Sequence, residues 1–215
     1  IPVSHFSENA RWALDYKAID HVRRAPVPGS HIPIALWLTG GASMTFPVLQ
    51  LEGRAVGDST AIIAALEQLR PEPPLYPADP AERARALELE DFFDEELGPH
   101  ARLLAFHELI NEPEIFTELA ALTAPGPLAR MKGVTGAYAR AFTSLRYGAQ
   151  RDEAAAAARA KILVAMDRLE AELATAGGEY LVGDGFTVAD LTAAALFYPL
   201  VGPAQGPLPP GAPTP

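Results

Sequence analysis

The sequence predicts a small α/β domain followed by an all-helical domain. Three observations carry this. Residues 1–70 alternate short apolar runs with Gly and Pro punctuation; residues 71–80, PEPPLYPADP, hold five prolines; and beyond them apolar residues recur at helical spacing.

The elements follow in order. Phe6, Ala10, Ala13 and Leu14 share one face of a first helix. Val22–Val27 reads as a strand interrupted by charge and ended by Pro26 and Pro28. Phe46–Leu51 is a clearer strand, and Arg54–Val56 returns across Glu52-Gly53, a turn-forming pair. Ile62, Ile63, Leu66 and Leu69 line a second helical face. The prolines of 71–80 lack N–H groups and disfavour helix before them, so the segment reads as an extended linker. After it, Leu89, Phe92, Phe93 and Leu97 recur at helical spacing before Gly98-Pro99. Ile162, Met166, Leu169 and Leu173 do the same, and the Ala154–Ala158 run, flanked by charge, reads as a surface-facing helix. Between residues 112 and 150, Pro113, Pro125, Pro127, Gly133 and Gly136 imply short helices and a broken path. The Pro- and Gly-rich segment Gly202–Pro215 reads as loop or disorder. The domains expected are 1–70 and 81–201, joined by 71–80 and followed by the tail 202–215.

Composition narrows function. The 215 residues carry a net charge of −10, and the densest basic cluster is Arg23-Arg24, too small for the basic stripe that phosphate binding requires. Nucleic acid is therefore excluded as a partner. No run approaches the ~18 apolar residues of a membrane span. There is no cysteine, which removes disulfides, thiolate metal sites and cysteine nucleophiles together; no metal site is expected. The composition is compatible with a reducing cytoplasm. No signal peptide is visible, in a sequence that begins at Ile1 without an initiator Met.

Four segments could carry chemistry. Ser4 stands where an apolar stretch meets the first helix, whose unpaired N–H groups and partial positive charge favour an anion; its hydroxyl could lower a thiol's pKa, or Ser4 or Ser7 could simply cap the helix. The cap is the commoner role for such a serine. Pro47 opens a strand, where a trans edge proline is the ordinary case and a cis bond the rare one. Asp58 and Ser59 precede the second helix as capping residues do, and the same positions could receive a carboxylate and an ammonium. Thr187 and Asp190 have capping-box spacing and read as structural.

In this order, the four segments resemble the cytosolic glutathione S-transferase family, over about Ile1 to Leu200. SHFSENARWAL looks like its active-site segment, FPVL its cis-proline segment, GDSTAI its γ-glutamyl site and YLVGDGFTVADLTAAAL its capped core helix; PLYPADPAERA fits the linker. The resemblance implies a thioredoxin-like N-terminal domain. It makes Ser4 the thiol activator of a serine-type enzyme, with Asp58 and Ser59 on the γ-glutamyl end, the Phe46 backbone on the cysteinyl part and Pro47 cis. Glutathione would be the co-substrate and a small hydrophobic electrophile the second ligand. That electrophile would lie between the Ser4 loop, including Phe6, and a wall near Leu103, Phe106 and His107, residues that could equally be ordinary core. A cytoplasmic homodimer in detoxification is the implied setting, and the Ala-, Arg-, Gly- and Pro-rich composition suggests a GC-rich bacterial genome. His5 stands where the family commonly has proline, and the sequence begins inside the expected first strand. A non-catalytic ligand-binding protein, or a glutathione-dependent isomerase or dehalogenase, would carry the same motifs.

Overall fold

The computed structural model describes residues 4–26, 29–124 and 126–202. Helix α1 (His5–Tyr16) is followed by α2 (His31–Leu38), the hairpin β1 (Val48–Leu51) and β2 (Arg54–Gly57), and α3 (Ser59–Leu69). The strands pair antiparallel, with Leu49 opposite Val56 and Leu51 opposite Arg54. Glu52 (φ 49°) and Gly53 (φ 80°) both turn through positive φ, the conformation a two-residue hairpin loop needs to match the strands' twist. The N-terminal part is thus thioredoxin-like, with a small antiparallel sheet, and the remainder is all-helical.

The strand expected at Val22–Val27 is not formed over residues 22–26; Val27 lies outside the described residues. A strand is held by its ladder, and among the described residues this segment joins no ladder, while Pro26 has no N–H to give. Val22 is exposed, and Arg23 turns back to Glu8 at 3.0 Å. The Gly202–Pro215 expectation falls, beyond Gly202, outside the described residues.

Residues 70–79 carry no helix or strand, yet Leu75 and Tyr76 are buried. Lys17, fully buried at the C-terminal cap of α1, donates to the carbonyls of Pro73 (2.8 Å) and Pro71 (3.4 Å) and pairs with Glu67, so its charge is matched where water is excluded. The Leu75 carbonyl accepts from the Val188 amide at 2.8 Å. The linker is therefore stitched to both parts, and one core runs through Ala13, Ile63, Leu66, Leu75, Leu89, Phe93 and Leu196.

The helical part comprises α4 (Pro80–Phe92), α5 (Gly98–Asn111), α6 (Pro113–Thr123), α7 (Lys132–Tyr147), α8 (Asp152–Ala176) and α9 (Val188–Val201). Between α4 and α5 the chain does not stop at Gly98-Pro99. A π-turn over Phe93–Leu97 carries the helix through, and it sits where Pro99 can give no N–H to the turn before it. Helix α7 runs 16 residues with Gly133 and Gly136 inside it, longer than the broken path expected. Gly136 permits close packing on α6, since a β-carbon there would lie 2.6 Å from Thr117 Oγ1. On α8 the buried residues are Ala155, Ala158, Ile162 and Ala165, whereas Met166 is exposed. Of the alanine run expected at the surface, Ala156 and Ala157 are exposed, while Ala155 and Ala158 lie on the buried face of α8, the helix that packs on α5.

Candidate active site

Ser4 is the N-cap of α1, in extended backbone, and its Oγ accepts from the Ser7 amide at 3.4 Å. That bond uses a lone pair and leaves the hydroxyl proton for another acceptor. His5 begins the helix, is buried, and lies 2.9 Å through Nε2 from the Gly98 carbonyl. Burial and the positive charge of Arg102 hold its pKa down at about 3, so the ring is neutral and acts as a brace between α1 and α5.

The Phe46–Pro47 peptide is cis. The Pro47 carbonyl accepts from the Asp58 amide at 3.3 Å, which brings the loop before β1 to the start of α3. Asp58 caps α3, its Oδ1 accepting from the Ala61 amide at 3.2 Å. Its φ of 76° is unusual for a residue with a β-carbon, and strain of this kind is retained where the surroundings enforce it. Ser59, the first residue of α3, is buried.

A cavity of about 420 Å3 joins these pieces, lined by Phe6, Thr45, Phe46, Pro47, Asp58, Ser59, Asp94, Glu95, Pro99 and Arg102. Its floor is acidic. Burial, with Asp58 and Asp91 close by, raises Asp94 to about 6. Behind it Glu90, fully buried, is raised by burial to about 7, moderated by the Thr60 hydroxyl. Opposing charge comes from Arg102 and from the α3 N-terminus, whose first N–H groups face outward along the helix axis. Such a floor can hold a zwitterion, carboxylate at the helix end and ammonium at the acids.

A second cavity of about 460 Å3 opens beside the first, between α1, α5, α6, α7 and α9. Its lining is largely apolar: Leu104, Phe106, Leu109, Phe116, Phe142, Tyr147 and Tyr198 are among its residues. Phe106 stacks on Tyr147 at 5.5 Å. Arg102 lines both cavities, its guanidinium over the rings of Tyr147 (4.7 Å) and Phe6 (5.5 Å).

Of the residues singled out in the sequence, Phe6, Phe46, Pro47, Asp58 and Ser59 surround the first cavity and Phe106 the second. Ser4 is not in either lining, standing one residue before His5 of the second and two before Phe6 of the first. Leu103 packs against the core, and His107 bonds through Nδ1 to the Ala149 carbonyl at 2.8 Å; neither is in the lining of these two cavities. Thr187 and Asp190 form a capping box, in which Asp190 accepts from the Thr187 amide and hydroxyl and from the Leu181 amide, each at 2.8 Å. Sequence reasoning missed Asp94, Glu95 and Arg102. The available signal was charge at positions 90, 94 and 102, at helical spacing beside the apolar Leu89, Phe93 and Leu97. Among the described residues no helix is long and apolar enough to cross a membrane, and no group of acidic or imidazole side chains has the arrangement of a metal site.

Comparison with known proteins agrees with this layout. Residues 1–74 match the glutathione S-transferase N-terminal domain and residues 129–209 the glutathione S-transferase C-terminal domain. The chain is 26% identical over 152 residues to a probable maleylacetoacetate isomerase of Caenorhabditis elegans, covering 71% of this chain and 54% of that protein. It is 27% identical over 136 residues to the maleylacetoacetate isomerase of Rattus norvegicus, covering 56% of this chain and 59% of the relative. The matches thus span little more than half the length of these curated relatives. In structure it is similar to a glutathione S-transferase of Methylobacterium radiotolerans solved with glutathione sulfonate, with a TM-score of 0.58 and 22% identity, covering 93% of this chain and 76% of that one. The chain belongs to the glutathione S-transferase family.

Proposed function

We propose that the protein is a serine-type glutathione transferase that joins the glutathione thiol to small hydrophobic electrophiles. The observation that carries this is the adjacency of two unlike cavities, one acidic and bounded by cis-Pro47 and the start of α3, the other apolar. In this reading the γ-glutamyl carboxylate sits at Ser59 and the α3 amides, and its ammonium at Asp58 and Asp94. The Phe46 backbone pairs with the cysteinyl part. The thiol proton leaves to solvent, and the Ser4 hydroxyl donates to the thiolate, lowering its pKa. With an aryl halide the sulfur forms a bond to the ring carbon and the halide departs with the electron pair. Holding both reactants in adjoining cavities supplies much of the rate, because the encounter becomes intramolecular.

A second reading is a glutathione-dependent isomerase, favoured by the names of the two curated relatives. There the same thiolate adds to a double bond and leaves again after rotation, so glutathione is not consumed. A homodimer in a bacterial cytoplasm, active in detoxification, and domains at 1–70 and 81–201 belong to the same proposal.

The test is retention on immobilised glutathione followed by turnover with an aryl chloride. Retention with turnover supports the transferase. Retention without turnover points to the isomerase, a dehalogenase or a ligand-binding protein, and lack of retention defeats the thiol site itself.

A further inference from the structure

The guanidinium of Arg102 stands out among the charged groups of the two cavities. Among the described residues it makes no ion pair, and its Nε is buried with no hydrogen-bond partner. A buried cation normally has a carboxylate beside it, because desolvation costs more than packing returns. Here two aromatic faces, Phe6 and Tyr147, offset part of that cost. Burial and Arg146 nearby pull its pKa down from the usual arginine value, so the charge is held in an unfavourable place.

The surroundings say which cavity lacks an anion. The first already holds Asp58, Asp94 and Glu95. In the second, Glu108 is paired with Arg159 at 2.8 Å and His5 is neutral. Arg102 is thus the one unpaired charge in the lining of an otherwise apolar, aromatic chamber.

We infer that Arg102 is a specificity residue that receives the carboxylate of the second substrate, so the electrophile is an organic acid with an apolar or aromatic body. This rests on the transferase reading and narrows it. The acid's body lies among Phe106, Phe116 and Phe142, and its carboxylate meets the planar donor fork of Arg102, which suits two parallel hydrogen bonds. The junction of the two cavities is then where the charged end is held, beside the bound thiol.

The test is calorimetric titration with 1-naphthoate and with 1-naphthamide, a charged and a neutral ligand of one shape, on wild type, Arg102→Gln and Arg102→Lys. Neither ligand reacts and no glutathione is added, so the result stands apart from whether the thiol site works. Wild type is expected to prefer the carboxylate by about 10- to 100-fold, the range for a charge-assisted hydrogen bond. Arg102→Gln should bring the ratio near unity, and Arg102→Lys should keep part of it. Equal or tighter binding of the amide by wild type, or an unchanged ratio in a folded Arg102→Gln, overturns the inference. Preference for the carboxylate with no retention on glutathione would keep Arg102 as a carboxylate site and defeat the transferase reading instead.

Discussion

The Nε2 atom of His5 lies 2.9 Å from the carbonyl oxygen of Gly98, and the ring of Phe6 rests where a Gly98 side chain would be. The first turn of α1 is thus held against the start of α5, with Phe6 on the first cavity and His5 on the second.

Gly98→Ala tests that contact. A β-carbon would lie 2.5 Å from Phe6 Cζ and 3.4 Å from Leu196 Cδ1, so the ring must move. The expected loss is about 1–3 kcal/mol, the usual cost of overpacking, read from urea melts. Phe6→Leu in the same chain should recover part of it, because the two changes meet at one point. Additive losses would separate Phe6 from Gly98.

Glu90 sets a pH dependence of known sign. Its folded pKa is raised by burial from about 4.5 to about 7, so the unfolded chain releases this proton first. Stability therefore falls as pH rises from about 4.5 through 7 and stays lower above that. Asp94, raised to about 6, adds a slope of the same sign, and His5, lowered to about 3, opposes both below pH 6.5. The difference between Glu90→Gln and wild type isolates Glu90. The variant should be more stable at pH 8 by on the order of 3 kcal/mol, with the gap closing towards pH 4.5. A gap independent of pH would contradict the assignment.

The two serines of α1 are expected to separate by function. Ser4 Oγ accepts from the Ser7 amide and keeps its proton for a ligand. Ser4→Ala should raise the pKa of bound glutathione thiol and slow conjugation about 10- to 150-fold, the effect of one hydrogen bond to a charged group. Ser7→Ala should leave the thiol pKa in place. Thiolate absorbance titrated against pH in both variants decides between them, and a shift in Ser7→Ala alone would reassign the role.

The legible parts of the fold were those fixed by local chemistry. Glu52-Gly53 marked the hairpin, and the apolar faces of α1 and α3 gave their packing. What escaped depended on partners far along the chain. Residues 22–26 have strand-like composition but join no strand ladder among the described residues. The helical repeat was read only up to Gly98-Pro99, yet the π-turn before that pair continues into α5, and Asp94 and Arg102 line the first cavity. Leu103 and Phe106 are three residues apart and looked equivalent; only the packing of α6 and α7 gives Phe106 the cavity and Leu103 the core. At the candidate site, the motif residues Asp58 and Ser59 were readable because they also begin a helix, whereas Arg102 carried only the helical spacing it shares with Glu90 and Asp94.

The central claim is that glutathione lies in the cavity between cis-Pro47 and the start of α3. Calorimetric titration of glutathione into wild type and Asp58→Ala tests it most directly. Wild type should bind, and Asp58→Ala should bind at least about 10-fold more weakly through loss of the ammonium contact, while the missing cap costs about 1 kcal/mol of stability. A wild-type protein that gives no binding heat at any temperature, or an Asp58→Ala variant of undiminished affinity, would contradict the account.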